Sequence, residues 1–275
     1  MLQVSALQTY RGALLVGIAL LVMAEIAWHR RRRSLGYNWA ETATSTFIML
    51  GQSLTRLLTI MFVAPVVYWV YGHRAFDIAI DGWRSILCLF IGAEFIYYWF
   101  HRASHHIRWL WASHSVHHSS TRLNFSAAYR LGWTNALSGT WIFFVPLIWI
   151  GYSPPAVFGM FYANLFFQFI LHTEIIGKLG PLEWIFNTPS NHRVHHASNV
   201  ELLNHNFGGV LIVFDLMFGT YAIEPLNEQL TFGLTGHAPS YNPFKVALGE
   251  WHRIWKELIA AKNPRNAWYV LFGPP

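Results

Sequence analysis

The stretch FIGAEFIYYWFHRASHHIRWLWASHSVHH, residues 90–118, decides how this chain is read. An apolar segment beginning at Ser85 runs to Phe100 with one charge, Glu94, and passes directly into histidines. On a helix, residues at i, i+3 and i+4 share a face. The spacing therefore aims His101 and His105 the same way, and likewise His114, His117 and His118. His106 falls about 100° round from His105 and is left out. HRVHH, residues 192–196, repeats the pattern with His192, His195 and His196, and His172 is a ninth candidate at the end of another apolar segment.

Neutral imidazole suits iron, zinc, copper or nickel. Eight histidines on three helical faces exceed what one metal uses, so two metals are the simpler count. A lone histidine is ordinarily a core or surface residue, but uncompensated imidazoles packed together are costly to bury. HExxH does not occur, which removes the zinc-protease motif. The single cysteine, Cys88, removes a thiolate-rich site and any intrachain disulfide. The nearest acids, Glu174 and Glu201, lie outside the clusters, unlike the bridging carboxylates of hydrolytic metal pairs. An all-nitrogen site favours redox chemistry.

Around this stretch the chain is lipid-like in composition. Of 275 residues 54% are hydrophobic and 12% charged, against about 25% charged in soluble domains. That predicts an all-α integral membrane protein of one domain, with about four to five transmembrane or re-entrant helices and a cytoplasmic helical cap. Apolar segments fall at 13–28, 45–71, 85–100, 138–150 and 156–171. Residues 151–155, GYSPP, form the turn of a short hairpin between the last two. The first is read as a retained helix and not a signal peptide, because Arg30, Arg31, Arg32 and Arg33 follow it and no small-residue cleavage site adjoins it. The second carries Arg56, a candidate for pairing or for a substrate headgroup. With the arginines cytoplasmic, counting crossings puts both histidine clusters on the cytoplasmic face. A hairpin preserves this whether or not it spans. Net charge is +6, but the basic residues form no nucleic-acid stripe. Residues 1–84 are expected to be N-terminal membrane helices, 85–221 the catalytic core, and 222–275 a C-terminal segment with an amphipathic helix at 251–262.

At these residues the chain resembles the fatty acid hydroxylase superfamily, over roughly residues 91–221. YYWFHRASHHIRWLWASHSVHHSS is similar to its first two histidine boxes, and LHTEIIGKLGPLEWIFNTPSNHRVHHASN with NFGGVLIVFDLMFGTY to the third and its flanks. NFSAAYRLGW resembles the segment that follows the first boxes in the bacterial and alkylglycerol-type branch. The resemblance implies two non-haem irons held by His101, His105, His114, His117, His118, His172, His192, His195 and His196. It implies O2-dependent hydroxylation, or alternatively desaturation, of a membrane lipid, sterol-like, fatty-acyl or ether-linked. Where that branch often has lysine before Asn-Tyr-Gly-Gly, this chain has His205 before Asn206-Phe207-Gly208-Gly209.

Asn124, Glu174, Asn191 and His205 are candidates to orient the imidazoles. Trp99, Trp109, Trp111, Phe125 and Trp133 are candidates to line a lipid slot, and Arg130 to meet a headgroup or form a structural pair. No haem, flavin or iron–sulfur motif is read, so a separate reductase, ferredoxin or cytochrome-type electron donor is expected. The compact form suggests a bacterial inner membrane. A metal transporter, a zinc-dependent hydrolase and an inactive lipid-binding relative are the rival readings.

Overall fold

The computed structural model describes residues 2–32 and 36–275, with side chains from residue 16 onward. Arg33, and the side chains of the first apolar segment before Val16, lie outside the described residues. The described chain is helical; its only β pairings are the isolated bridges Phe186 with Leu211 and Ala197 with Phe232.

The long helices are α1 (Leu2–Arg32), α2 (Trp39–Gly72) and α3 (Trp83–His106). Asn38 caps α2 by accepting from the amides of Ala40 and Glu41. α2 starts six residues before the expected segment and continues through Pro65. α3 runs past its apolar part and carries the first histidine box on its last turns. Next come α4 (Arg108–His118) and a single turn, α5 (Phe125–Ala128).

A 3-10 turn, Thr140–Phe144, leads into α6 (Val145–Ile150). α7 follows (Pro154–Leu171). The two prolines expected in the hairpin turn begin α7 instead, because proline fits a helix's first turn, where its missing N–H costs nothing. The turn proper rests on Gly151, at φ +142°, where a Cβ would stand 2.3 Å from the Phe76 carbonyl oxygen. The remaining helices are α8 (Pro189–His196), α9 (Val213–Phe218), α10 (Pro243–Ala260) and α11 (Pro264–Phe272). α10 begins eight residues before the amphipathic helix read from sequence.

Among the described residues two helices, α2 and α7, are long and apolar enough to cross a membrane. The exposure pattern agrees with their composition. Leu54, Leu57, Met61, Phe62 and Trp69 of α2 are all more than 60% exposed. Such an apolar surface is stable against lipid and not against water. The inner side of the bundle packs Val67, Leu89, Ala93, Tyr97, Phe144, Ile148 and Val157 into one core. α1, α2, α3 and the α6–α7 hairpin match the expected segments in order. Helical architecture with apolar, membrane-compatible helices is thus what the structure carries.

Candidate metal centre

α3 and α7 end beside one another, and at those ends nine histidines converge. His101, His105, His114, His118 and His195 form one group, and His117, His172, His192 and His196 a second. Within each group the ring nitrogens lie within 4.8 Å of one another, and all are buried except the half-buried His114. The groups adjoin: the His118 ring stacks on His196 at 4.4 Å between centroids.

The boxes do not serve one group each. His114 and His118, four apart, enter the first group, and His117 between them enters the second. On α8, His192 and His196 enter the second group and His195 the first. A four-residue step turns a helix by about 40° and a three-residue step by about 60° the other way. The expectation that each triplet points one way is therefore refined: each His-x-x-His-His divides between the groups.

Burial keeps these imidazoles neutral. It pushes His117 and His195 down to about 3 and His172 down to about 4. His114, His118, His192 and His196 also fall well below the ordinary histidine range, through burial first and neighbouring imidazoles second.

The tautomers follow from backbone carbonyls. His101 Nδ1 lies 2.8 Å from the Phe207 oxygen, His172 Nδ1 2.7 Å from Gln168, and His195 Nδ1 2.9 Å from His205. A carbonyl only accepts, so Nδ1 carries the proton in each ring and the Nε2 lone pair points inward. There the Nε2 atoms crowd. His114 Nε2 is 3.1 Å from both His101 and His118, and His172 Nε2 is 3.1 Å from both His117 and His192. Buried Nε2 atoms of His105, His195 and His196 have no hydrogen-bond partner. The inward lone pairs of His101, His172 and His195, with the unpartnered Nε2 atoms of His105 and His196 beside them, give each group a set of nitrogen donors that fits a metal.

A loop supplies two of the carbonyls, and two carboxylates hold it. Asp215 accepts from the amides of Phe207 and Gly208, both at 2.7 Å, and from Thr220. Glu94 accepts from the amides of Val210 and Leu211 and from Asn164. Asn206, at φ 58°, donates to the Asn191 and Ala222 carbonyls. A Cβ on Gly208 would stand 2.2 Å from the Leu211 backbone oxygen, and one on Gly209 2.0 Å from the Asn164 side-chain nitrogen, so a side chain at 208 would force the loop apart and one at 209 would displace the Asn164 amide. Asp215 and Glu94 were not named as site residues from sequence. A buried acid inside the apolar segment, Glu94, was the available signal.

The other candidates scatter. Asn124 caps α5 and donates to the Gly36 carbonyl, Glu174 accepts from the Leu123 amide, and Asn191 donates to the Glu183 and Phe186 carbonyls. Among the described residues no hydrogen bond joins any of these side chains to a clustered imidazole. His205 contributes its carbonyl, and its ring stands outside both groups. His106 is exposed. Trp111 packs on His105 and His118. Trp109 donates to the Ser138 carbonyl and packs on Trp251. Arg130 is fully buried, 3.7 Å from Glu41 and bonded to Ser45 and Ser119, as a structural pair.

Below the histidines a cavity of about 600 Å³ runs between α2 and α7. His114, His117 and His172 form its head, and Tyr97, Phe100, Phe144, Phe161 and Phe169 its walls. Trp133 lines it, with its Nε1 donating to the Ile48 carbonyl. Trp99, Phe125 and Arg130 do not line it. Trp99 packs outside, on Phe218, and Phe125 stacks on Phe169.

Residues 86–220 match the fatty acid hydroxylase family. The chain is 35% identical to an alkylglycerol monooxygenase of Xenopus tropicalis, over 94% of this chain and 57% of the relative. It is 38% identical to the human alkylglycerol monooxygenase, over 81% of this chain and 50% of that protein. It is 30% identical to the ornithine lipid hydroxylase OlsE of Rhizobium tropici, over 68% of this chain and 57% of the relative. The chain thus spans about half the length of the curated relatives it matches. No solved structure matches it. These relatives come from animals and a bacterium, so they lend no support to the expected bacterial inner membrane.

Proposed function

The chain belongs to the fatty acid hydroxylase superfamily, and we propose that it is a membrane-embedded di-iron oxygenase that hydroxylates a lipid. One observation carries the reading: nine neutral histidines crowd their ring nitrogens into two adjoining groups, and three of them, His114, His117 and His172, form the head of an apolar cavity flanked by two membrane-compatible helices. The relatives' names, alkylglycerol monooxygenase and ornithine lipid hydroxylase, support lipid hydroxylation over desaturation.

In this reading His101, His105, His114, His118 and His195 hold one iron, and His117, His172, His192 and His196 the other. Bound there, the metals supply the reductive activation of O2 and the oxidation of an unactivated C–H bond. The protein does the rest. The Phe207, Gln168 and His205 carbonyls fix tautomer and ring orientation. The aromatic walls hold an alkyl chain and exclude water, with its reacting carbon beneath His114, His117 and His172. Overall, one C–H, O2, two electrons and two protons give an alcohol and water. A separate reductase, ferredoxin or cytochrome-type donor supplies the electrons. Arg30, Arg31 and Arg32 at the end of α1 support a cytoplasmic centre.

The test supplies iron-loaded protein with a reductant, an alkylglycerol or aminolipid, and isotopically heavy O2. The expected product carries one heavy oxygen atom. Equal product without O2 would move the assignment to a hydrolase.

A further inference from the structure

The proposed function leaves one charged side chain of the cavity unexplained. Besides histidines, the described lining contains a single ionisable group of formal charge, Arg56 on α2. It lies eight residues beyond Ile48, about 12 Å deeper along the helix, within the apolar part of α2. Among the described residues it has no carboxylate within ion-pair distance and no hydrogen-bond acceptor. Its recorded neighbour is the Tyr162 ring of α7, 5.9 Å from Cζ to centroid. The buried arginines differ from Arg56, whose side chain is exposed: Arg130 pairs with Glu41, and Arg193 with Glu224.

An intramembrane cation ordinarily finds a partner or marks a ligand path. Gln52, one turn nearer the histidine end on the same face, also lines the cavity, and its amide has no partner among the described residues. Thr55 and Thr59 beside them are spent on their own helix, donating to the Gln52 and Thr55 carbonyls. Between Gln52 and Thr59 of α2, the side-chain donors left without a partner are therefore the Arg56 fork and the Gln52 amide. A guanidinium fork matches carboxylate and phosphate oxygens in pairs. Its stem leans toward the N-terminus of α2, which is the histidine end.

We propose that Arg56, with Gln52, anchors an anionic group of the substrate, so that this cavity takes an alkyl-chain amphiphile bearing a phosphate or carboxylate in preference to a neutral one. This rests on the reading of the cavity as the lipid site. It makes Arg56 a specificity-determining residue, while the histidines do not depend on it.

Chain-matched hexadecyl phosphate, hexadecanoate and hexadecanol separate the possibilities. Equilibrium binding of each radiolabelled probe is measured under argon in detergent, with wild type, Arg56→Gln and Arg56→Lys. Both anions are expected to bind wild type more tightly than the alcohol. Arg56→Gln should weaken the anions roughly ten- to a hundredfold, as loss of a hydrogen-bonded charge does, and leave the alcohol unchanged. Arg56→Lys should recover part of the loss. The larger loss identifies phosphate or carboxylate as the natural group. Equal binding of all three probes, or anion binding untouched by Arg56→Gln, overturns the inference. Because no turnover is needed, failure of the oxygenase reading would appear separately, as protein that binds these probes and oxidises no lipid.

Discussion

The histidine centre and the wall of the apolar cavity are built from the same helices to different tolerances. At the centre, the Nδ1 protons of His101, His172 and His195 go to named carbonyls, and the loop offering two of those carbonyls is held by Asp215, Glu94 and two tightly fitted glycines. Along the wall, contacts are mostly aromatic and non-directional, with hydrogen bonds from Trp133 and Tyr97 as exceptions, and α2 carries its apolar side chains exposed. Position at the centre is set by directed bonds, whereas the wall needs only volume and hydrophobicity. Changes at the centre should therefore alter chemistry steeply, and changes along the wall should alter preference among lipids.

The largest expected effect is at the ligands themselves. His117→Ala or His195→Ala should abolish product while the protein still inserts in the membrane, as read by product mass and membrane fractionation. One is proposed for each metal, so the single variants should each retain part of the bound iron. Full product from either would erase the distinction between centre and wall.

Acid comes next. With folded values of about 3 for His117 and His195, against an ordinary value near 6.5, the unfolded chain binds more protons than the folded one in between. Stability of the metal-free protein should therefore rise with pH across roughly 3 to 6.5, and fall on acidification through that window. Protonation removes the same lone pairs, so iron should be released over the acid side. A melting temperature indifferent to pH there would contradict neutral burial.

The loop bracket is subtler. Asp215→Asn keeps shape but loses one anionic acceptor for the Phe207 and Gly208 amides. Loss of such support typically costs about 10–100-fold in metal affinity or activity. The expected signature is weaker iron retention with unchanged lipid binding. The reverse pattern would place Asp215 with the wall.

The same contrast explains what could be read beforehand. The helices and the nine histidines were legible because helical spacing and hydropathy are written in side chains, as in His114, His117 and His118. The orienting groups were not, because they are the backbone carbonyls of Phe207, Gln168 and His205, which every residue possesses. The bracket was hidden because Asp215 lies within an unremarkable FDLMF and Glu94 reads as a stray charge in an apolar run. Trp99 and Phe125 misdirected for the opposite reason: aromatic character says that a ring is buried or lipid-facing, not which side of α3 or α5 meets the cavity. Of the proposed lining residues, Trp133 reaches it because its indole is pinned to Ile48.

The central claim is a two-iron centre divided between the two histidine groups. Protein from iron-supplemented cells, enriched in iron-57, tests it by metal quantification with Mössbauer spectroscopy. The account predicts about two irons per chain, one to each nitrogen-donor group, in a paired ferrous or coupled ferric signature. Zinc alone, persisting after anaerobic iron reconstitution, or no bound metal at all, would contradict it.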